Sequence, residues 1–371
     1  MIILAIETSC DETAVAIIKS DKESFTVLSE MVSSQIKLHA DWGGVVPNLA
    51  AREHLKNIMP LIEYSLRKAD VSPKEIDLIA TTSGPGLIPA LLIGNNVSKT
   101  LAWIWEKPLL GINHIEGHIY SNFVRVVKRQ KLKIKSNKIR FPVLCLIVSG
   151  GHTQLVLMKD HLQYKIIGQT LDDAAGEAFD KVARILGLGY PGGPAIAKMA
   201  MEFPIFKSQF PNKTKIKNSK LKIQLPRPMI NSGNFNFSFS GLKTAVLYKV
   251  KKIKKLNQEQ KIMICHEFQQ AVVDVLVSKT ITAAKKFKPK TVLIAGGVSA
   301  NQELRDQLKS ALSKNFPVMT YREPDPRYSI DNAVMIASAA HYRWKKMTSR
   351  QKEASLNNWK KNAADANLKL I

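Results

Sequence analysis

The segment "IILAIETSCDETAVAII", residues 2–18, reads as an apolar β-rich run, a short polar turn and a second apolar run, the pattern of a β-hairpin. The pattern returns at residues 142–158, "PVLCLIVSGGHTQLVLM". Strand and helix patterns follow each hairpin: "IDLIATTSGPG" and "LIPALLIGNNVSKTLAWIW" after the first, "KTVLIAGGVSAN" and "QELRDQLKSALSK" after the second. A unit that opens on a hairpin, alternates strands with helices and occurs twice predicts an α/β protein of two duplicated lobes facing one another across a cleft. The length agrees, since 371 residues exceed one ordinary core and suffice for two.

Three glycine-containing turns fall at ends of predicted strands: "TSGPG" at 82–86, "VSGGH" at 148–152 and "AGGVSAN" at 295–301. Strand ends are where α/β proteins bind ligands, and glycine lets backbone N–H groups approach a phosphate. Neither a Walker A loop nor a G-x-G-x-x-G fingerprint occurs, so a nucleotide cleft of the actin or sugar-kinase kind fits best. Between the turns lies "LDDAAGEAFDKVARILGLGYPGGPAIAKMA", residues 171–200. Asp172 and Asp173 read as dipole partners of the helix that follows. Asp180 suits a ribose, because a carboxylate accepts from hydroxyls, and Gly193 leaves room for a flat base.

In "GINHIEGHIYS", residues 111–121, His114 and His118 are four apart, so on a helix both imidazoles project from one face and could share a metal ion. The H-E-x-x-H protease pattern needs its glutamate directly after the first histidine, and Glu116 stands one place too far on.

Bulk properties narrow the class. Hydrophobic residues make up 45% of the chain, no apolar run approaches the roughly 18 residues of a membrane span, and no basic leader precedes the first strand. Cys10, Cys145 and Cys265 are an odd number without C-x-x-C spacing, as in a reducing cytoplasm. The balance of 55 Lys+Arg against 30 Asp+Glu gives +25, and the tracts 125–140 and 207–227 hold no acid. Such a field favours a polyanionic partner.

Nine ordered motifs, "IETSCDET", "HADWGGVVP", "TSGPGL", "NHIEGH", "VSGGHTQL", "DDAAGEAFDKVARILGLGYPGGP", "FSFSGLKTA", "AGGVSAN" and "DNAVMIA", resemble the tRNA threonylcarbamoyladenosine transferase family of the bacterial TsaD type, from residue 3 to about residue 340. The resemblance implies the actin/Hsp70/sugar-kinase architecture, with residues 1–120 as the first lobe, completed by a helix near 331–345, and residues 121–330 as the second; residues 346–371, outside the resemblance, read as a basic C-terminal tail. It implies His114, His118 and Asp331 as ligands of one divalent ion, iron or else zinc, and places Ile147, Val148, Ser149, Gly150, Gly151, Asp180, Gly193 and Asn301 around an adenylate. The implied reaction moves a threonylcarbamoyl group from threonylcarbamoyl-AMP to N6 of adenosine 37 in tRNAs reading codons that begin with A, releasing AMP. Implied companions are a paralogous inactive subunit and a small ATPase. Asp11 and Glu12, in the first hairpin turn, are the candidates for handling the amine proton. The chain departs from the family at Ile330, where threonine is common, and at Asn48, where many bacterial members carry glutamate.

Two other classes compete. A kinase or ATPase on the same fold would use cleft carboxylates with magnesium and would not need the histidine pair, and a non-catalytic paralogue would lack the metal ligands that this chain retains. The basic tracts carry their own test. Replacing Lys131, Lys133 and Lys135 with Glu should weaken tRNA binding and reduce the slope of log K against log salt by roughly one unit for each phosphate the protein no longer neutralises. An unchanged slope would make these lysines bystanders.

Overall fold

The computed structural model describes residues 1–21, 25–124, 139–203, 223–253 and 255–370. The first lobe begins with β1 (Ile2–Glu7), β2 (Glu12–Ser20) and β3 (Phe25–Ser34), continues through α1 (Ile36–Ala40), α2 (Pro47–Ala69), β4 (Leu78–Gly84), α3 (Ile88–Ile104) and β5 (Leu109–Asn113), and ends on α4 (His114–Tyr120). The second lobe runs through β6 (Val143–Val148), β7 (Thr153–Asp160), β8 (Gln163–Gln169), α5 (Ala175–Leu186), α6 (Gly192–Met201), α7 (Ser240–Lys251), α8 (Gln258–Phe287), β9 (Thr291–Ala295), α9 (Gln302–Asn315) and β10 (Thr320–Arg322). Two more helices follow, α10 (Ala333–Lys346) and α11 (Ser349–Ser355).

The two sheets repeat one plan. Their strand orders are β3-β2-β1-β4-β5 and, read in the same sense, β8-β7-β6-β9-β10. In each, two antiparallel strands, the first forming the hairpin with the central strand, occupy one side of it, while two parallel strands occupy the other. β6 is buried along its whole length and β1 is buried from Ile3 onward, which is why both read as continuous apolar runs rather than alternating ones. The duplication and the α/β class read from the hairpins are therefore present.

Core packing explains how the far end of the chain returns to the first lobe. One cluster, built on Leu144, Leu146 and Val148 with the edge-to-face pair Phe179 and Phe268 at 5.1 Å, lies beneath α5 and α8. Another sets Leu4 and Ile6 against Ile58, Ile62 and Leu101 of α2 and α3. The third lies between the sheets. There Ile115 and Ile119 of α4 and Val334, Ile336 and Ala337 of α10 pack with Ile3 and Ala5 from one sheet and Cys145 and Ile147 from the other. Helix α10 touches all five strands of the first sheet.

Most of the tracts 125–140 and 207–227 lies outside the described residues. Within the described part, Arg227 is committed to Glu267 and, through Nε at 2.9 Å, to Asp274. Among the described residues no helix is long and apolar enough to cross a membrane.

Beyond α11 the chain runs over the ends of β4 and β5. Trp359 packs on Trp103 with ring centres 5.9 Å apart, Asn358 Nδ2 donates to the Leu109 carbonyl at 2.8 Å, and the Asp365 amide donates to the Ser83 carbonyl at 2.8 Å. Asn362 joins two buried side chains, donating to Asn95 Oδ1 at 2.6 Å and accepting from Ser83 Oγ at 3.2 Å. Asn362→Ala should therefore lower unfolding stability by about 1–3 kcal/mol, because both partners lose a hydrogen bond where water enters poorly. Denaturant titration measures this, and wild-type stability would show that the tail lies loosely on the strand ends.

Candidate metal centre and nucleotide cleft

Helix α4 starts directly at the end of β5. Asn113 caps it, its side chain accepting from the amides of Ile115 at 2.9 Å and Glu116 at 3.3 Å, so His114 occupies the first helical position. One turn later His118 projects from the same face, with the two rings 4.6 Å apart. Asp331 arrives from the other side, Oδ1 lying 3.1 Å from His118 Nε2 and 3.5 Å from His114 Nε2. It is not the cap of α10. That role belongs to Asn332, whose Oδ1 accepts from the Met335 amide at 2.9 Å. The one ligand atom from each of the three residues lies within 4.8 Å of the others.

The donor set fits a divalent metal. His118 is fully buried, yet neither ring nitrogen makes a well-directed hydrogen bond, despite the short approach of Nε2 to Asp331. Imidazole nitrogens rarely stay unbonded in an interior unless something else engages them. Behind His114 stands a carboxylate that orients it: Nδ1 lies 3.1 Å from Glu7 Oε2, and Glu7 is held in turn by the Ser9 amide and the Thr82 hydroxyl, each at 2.5 Å. This is the carboxylate–histidine arrangement that fixes a ligand ring and its tautomer. Burial opposes a charge on His114, but Asp331 and Glu7 outweigh it and raise its pKa to about 9. Burial likewise works against the charge on Asp331, and the two histidines overcome it, bringing that carboxyl down to about 2.

The hairpin turn of the second lobe reaches the same place. His152, directly after Gly151, is lowered to about 4, first by burial and then by His114 and His118, with Asp331 opposing. The ring is thus close enough to feel all three ligands. Asp11 and Glu12 lie buried at the first hairpin turn. Burial, then the neighbouring Asp11 and Asp331, raise Glu12 to about 10, and Ser34 Oγ donates to its Oε1 at 3.1 Å. Across the lobes, Asp11 adds to the upward shift that burial imposes on Asp180 and on Tyr190.

The residues read as adenylate neighbours separate into two kinds. The Ile147 and Val148 side chains are fully buried in opposite cores, so only their backbones are available to a ligand. The Ser149 hydroxyl accepts from the His152 amide at 3.1 Å, closing the turn. Gly150, Gly151 and Gly193 face open space, with no atom within 4 Å of where a Cβ would stand. Gly296 holds a backbone φ of +89°, and a Cβ there would meet the Val148 carbonyl at 2.5 Å, so the second and third glycine turns pack directly together. Asp180 has a structural task, with Oδ1 accepting from the Gly192 amide at 2.7 Å. Asn301 caps α9 by accepting from the Leu304 amide at 3.0 Å and donates Nδ2 to Gln269 at 2.8 Å.

Asp172 and Asp173 are not both partners of the helix they precede. Asp172 accepts from the Phe239 and Ser240 amides at 2.8 and 3.3 Å, at the start of α7, while Asp173 pairs with Lys181 and Lys243. Asp172 is thus a dipole partner, but of a helix more than sixty residues away in sequence. At the departures from the family pattern, the exposed Ile330 contributes its carbonyl to Asn332 Nδ2 at 2.7 Å, and Asn48 leaves the first turn of α2 without an acid. The sequence alone does not single out Glu7 or His152. The available signals are an acid closing an otherwise apolar strand and a histidine ending a glycine turn.

Comparison with known proteins accounts for this assembly. Residues 26–338 match the family model described as "TsaD: tRNA N6-adenosine threonylcarbamoyltransferase". The chain is 47% identical over 348 residues to the tRNA N6-adenosine threonylcarbamoyltransferase of Persephonella marina, covering 93% of this chain and 91% of that protein. The corresponding enzyme of Bacillus subtilis is 46% identical over 340 residues, covering 91% and 89%. A crystal structure of T.kodakarensis HypF superposes on 93% of this chain and 48% of its own, with a TM-score of 0.55 at 13% identity, a likeness of fold alone. Two α/β lobes about a cleft, a histidine–histidine–aspartate cluster within it and these matches place the chain in the TsaD family, whose members transfer the threonylcarbamoyl group to adenosine 37 of tRNA.

Proposed function

We propose that the chain takes the threonylcarbamoyl group from threonylcarbamoyl-AMP and places it on N6 of adenosine 37 in tRNAs reading codons that begin with A, releasing AMP, and that it works in the cytoplasm with a paralogous inactive subunit and a small ATPase. The observation that carries the reading is the His114, His118 and Asp331 cluster beside the Gly150–Gly151 turn, with His152 linking the two. His114, His118 and Asp331 would hold a divalent ion, and two imidazoles with one carboxylate suit Fe(II), with Zn(II) the other candidate. When bound, such an ion supplies Lewis-acid polarisation of the carbamoyl carbonyl.

The chain's own groups divide the remaining work. The amides of the open turn at Gly150 and Gly151 hold the adenylate phosphate, and Gly193 leaves space for the base. Asp180 and Asn301, each already bonded to backbone, approach the adenosine with their remaining lone pairs and protons. The adenine amine attacks the carbamoyl carbon, the bond from that carbon to the phosphate oxygen breaks, and AMP departs with the electron pair. Asp11 takes the amine proton. Glu12, raised to about 10, holds its own proton at neutral pH and so donates a hydrogen bond rather than acting as the base.

Two expectations follow from these roles. His114→Ala, His118→Ala and Asp331→Ala should each lose bound metal and form no detectable product when tRNA nucleosides are analysed by mass after incubation with threonylcarbamoyl-AMP and the companion proteins. Stoichiometric metal in the Asp331→Ala protein would remove it from the ligand set. Asp11→Asn keeps the turn but removes the base, so the rate should fall about 10²–10⁴-fold while metal and adenylate still bind. Full turnover in that variant would exclude Asp11 from proton transfer.

A further inference from the structure

The glutamate between the two histidines has no place in the metal cluster. Two residues along a helix is more than half a turn, so Glu116 points away from the face that carries His114 and His118. It is fully buried, and its two carboxylate oxygens accept from Arg343 Nε at 2.5 Å and Arg343 Nη2 at 2.6 Å. Arg343 belongs to α10, the helix that Asp331 precedes by two residues. The pair therefore ties the helix bearing two ligands to the helix whose entry bears the third.

Other interactions at this junction make the tie sensitive to position. A Cβ on Gly117 would stand 2.8 Å from Ile336 Cδ1 and 3.2 Å from Met335 Cγ, so side chains of α10 pack directly on the α4 backbone there. Further along, Ser338 Oγ donates to the Tyr120 carbonyl at 3.2 Å. A two-pronged guanidinium–carboxylate bond fixes both separation and rotation, and a fully buried carboxylate has no water to turn to instead.

We propose that Glu116 and Arg343 are positioning residues for the metal centre: their paired hydrogen bonds set the spacing and rotation of α4 against α10, and with them the distance from the His114 and His118 imidazoles to the Asp331 carboxylate. The inference rests on the reading of that triad as a metal site. A purely structural pair would affect melting temperature and leave the ligand geometry of the folded protein unchanged.

Cobalt(II), titrated into the metal-free full-length protein, separates the two, because its visible absorption bands report ligand number and geometry. Wild type and Asp331→Ala are measured alongside. If wild type takes up no cobalt, or Asp331→Ala binds it unchanged, the triad reading falls and the inference falls with it. Given wild-type binding that depends on Asp331, the double variant Glu116→Gln/Arg343→Met, which leaves no lone buried charge, should bind cobalt at least about tenfold more weakly, with shifted bands. Arg343→Lys keeps the charge but loses the fork and should show a smaller loss with a detectable band shift. Wild-type affinity and bands in the folded double variant, whatever its melting temperature, would overturn the proposal. Should the double variant fail to fold, Arg343→Lys decides by the same two readouts.

Discussion

For one ion to be held at the seam between two lobes, three candidate ligand atoms must meet within 4.8 Å, two of them from α4 and one from the entry to α10. Much of the surrounding structure answers that requirement. Asn113 starts α4 at His114, so both imidazoles share a face, and Asn332 takes over the capping of α10, leaving the Asp331 carboxylate available. The layer formed by α4 and α10 is clasped by apolar side chains from both sheets, so a shift of either lobe is felt at the ligands. Interiors are too densely packed to deform smoothly. The geometry of the candidate ligand cluster and that of the cleft are accordingly one property in this protein.

Charge is concentrated at the same seam. Glu7, Asp11 and Glu12 lie buried there, with Asp331 partly buried, beside His114, His118 and His152. So many ionisable groups in a dry region oblige one another to depart from their usual protonation, as the opposite displacements of His114, raised to about 9, and His152, lowered to about 4, illustrate. Perturbation of this kind gathers where chemistry is done, and here it coincides with the strand ends of both sheets.

Much of this is legible in the amino-acid sequence. Hairpin repetition predicts the two sheets because strands buried on both faces leave an unbroken apolar record, and the His114–His118 spacing predicts a shared helix face because helical periodicity is local. Asp331 needs the family resemblance, since no periodicity relates it to α4. The partners that sequence leaves hidden are those made over long separations: Glu7 with His114, Glu116 with Arg343, and Asp172 with the start of α7. Asp180 and Asn301 show the complementary difficulty. Their residue types suit ligand binding, yet each already spends one polar atom on a helix or turn, and composition does not reveal that division.

The return of α10 to the first sheet also orders events on the ribosome. The strands of the first lobe emerge first, but the helix that seals their inner face is translated after the whole second lobe. An early-emerging sheet must therefore wait with apolar surface uncovered, the condition in which nascent chains most need a chaperone or a partner. The second lobe meets no such delay, because α5 to α9 and β6 to β10 are contiguous apart from their packing across the seam. The lobe begun first is finished last, and the His114, His118 and Asp331 cluster cannot exist on a chain still short of residue 331.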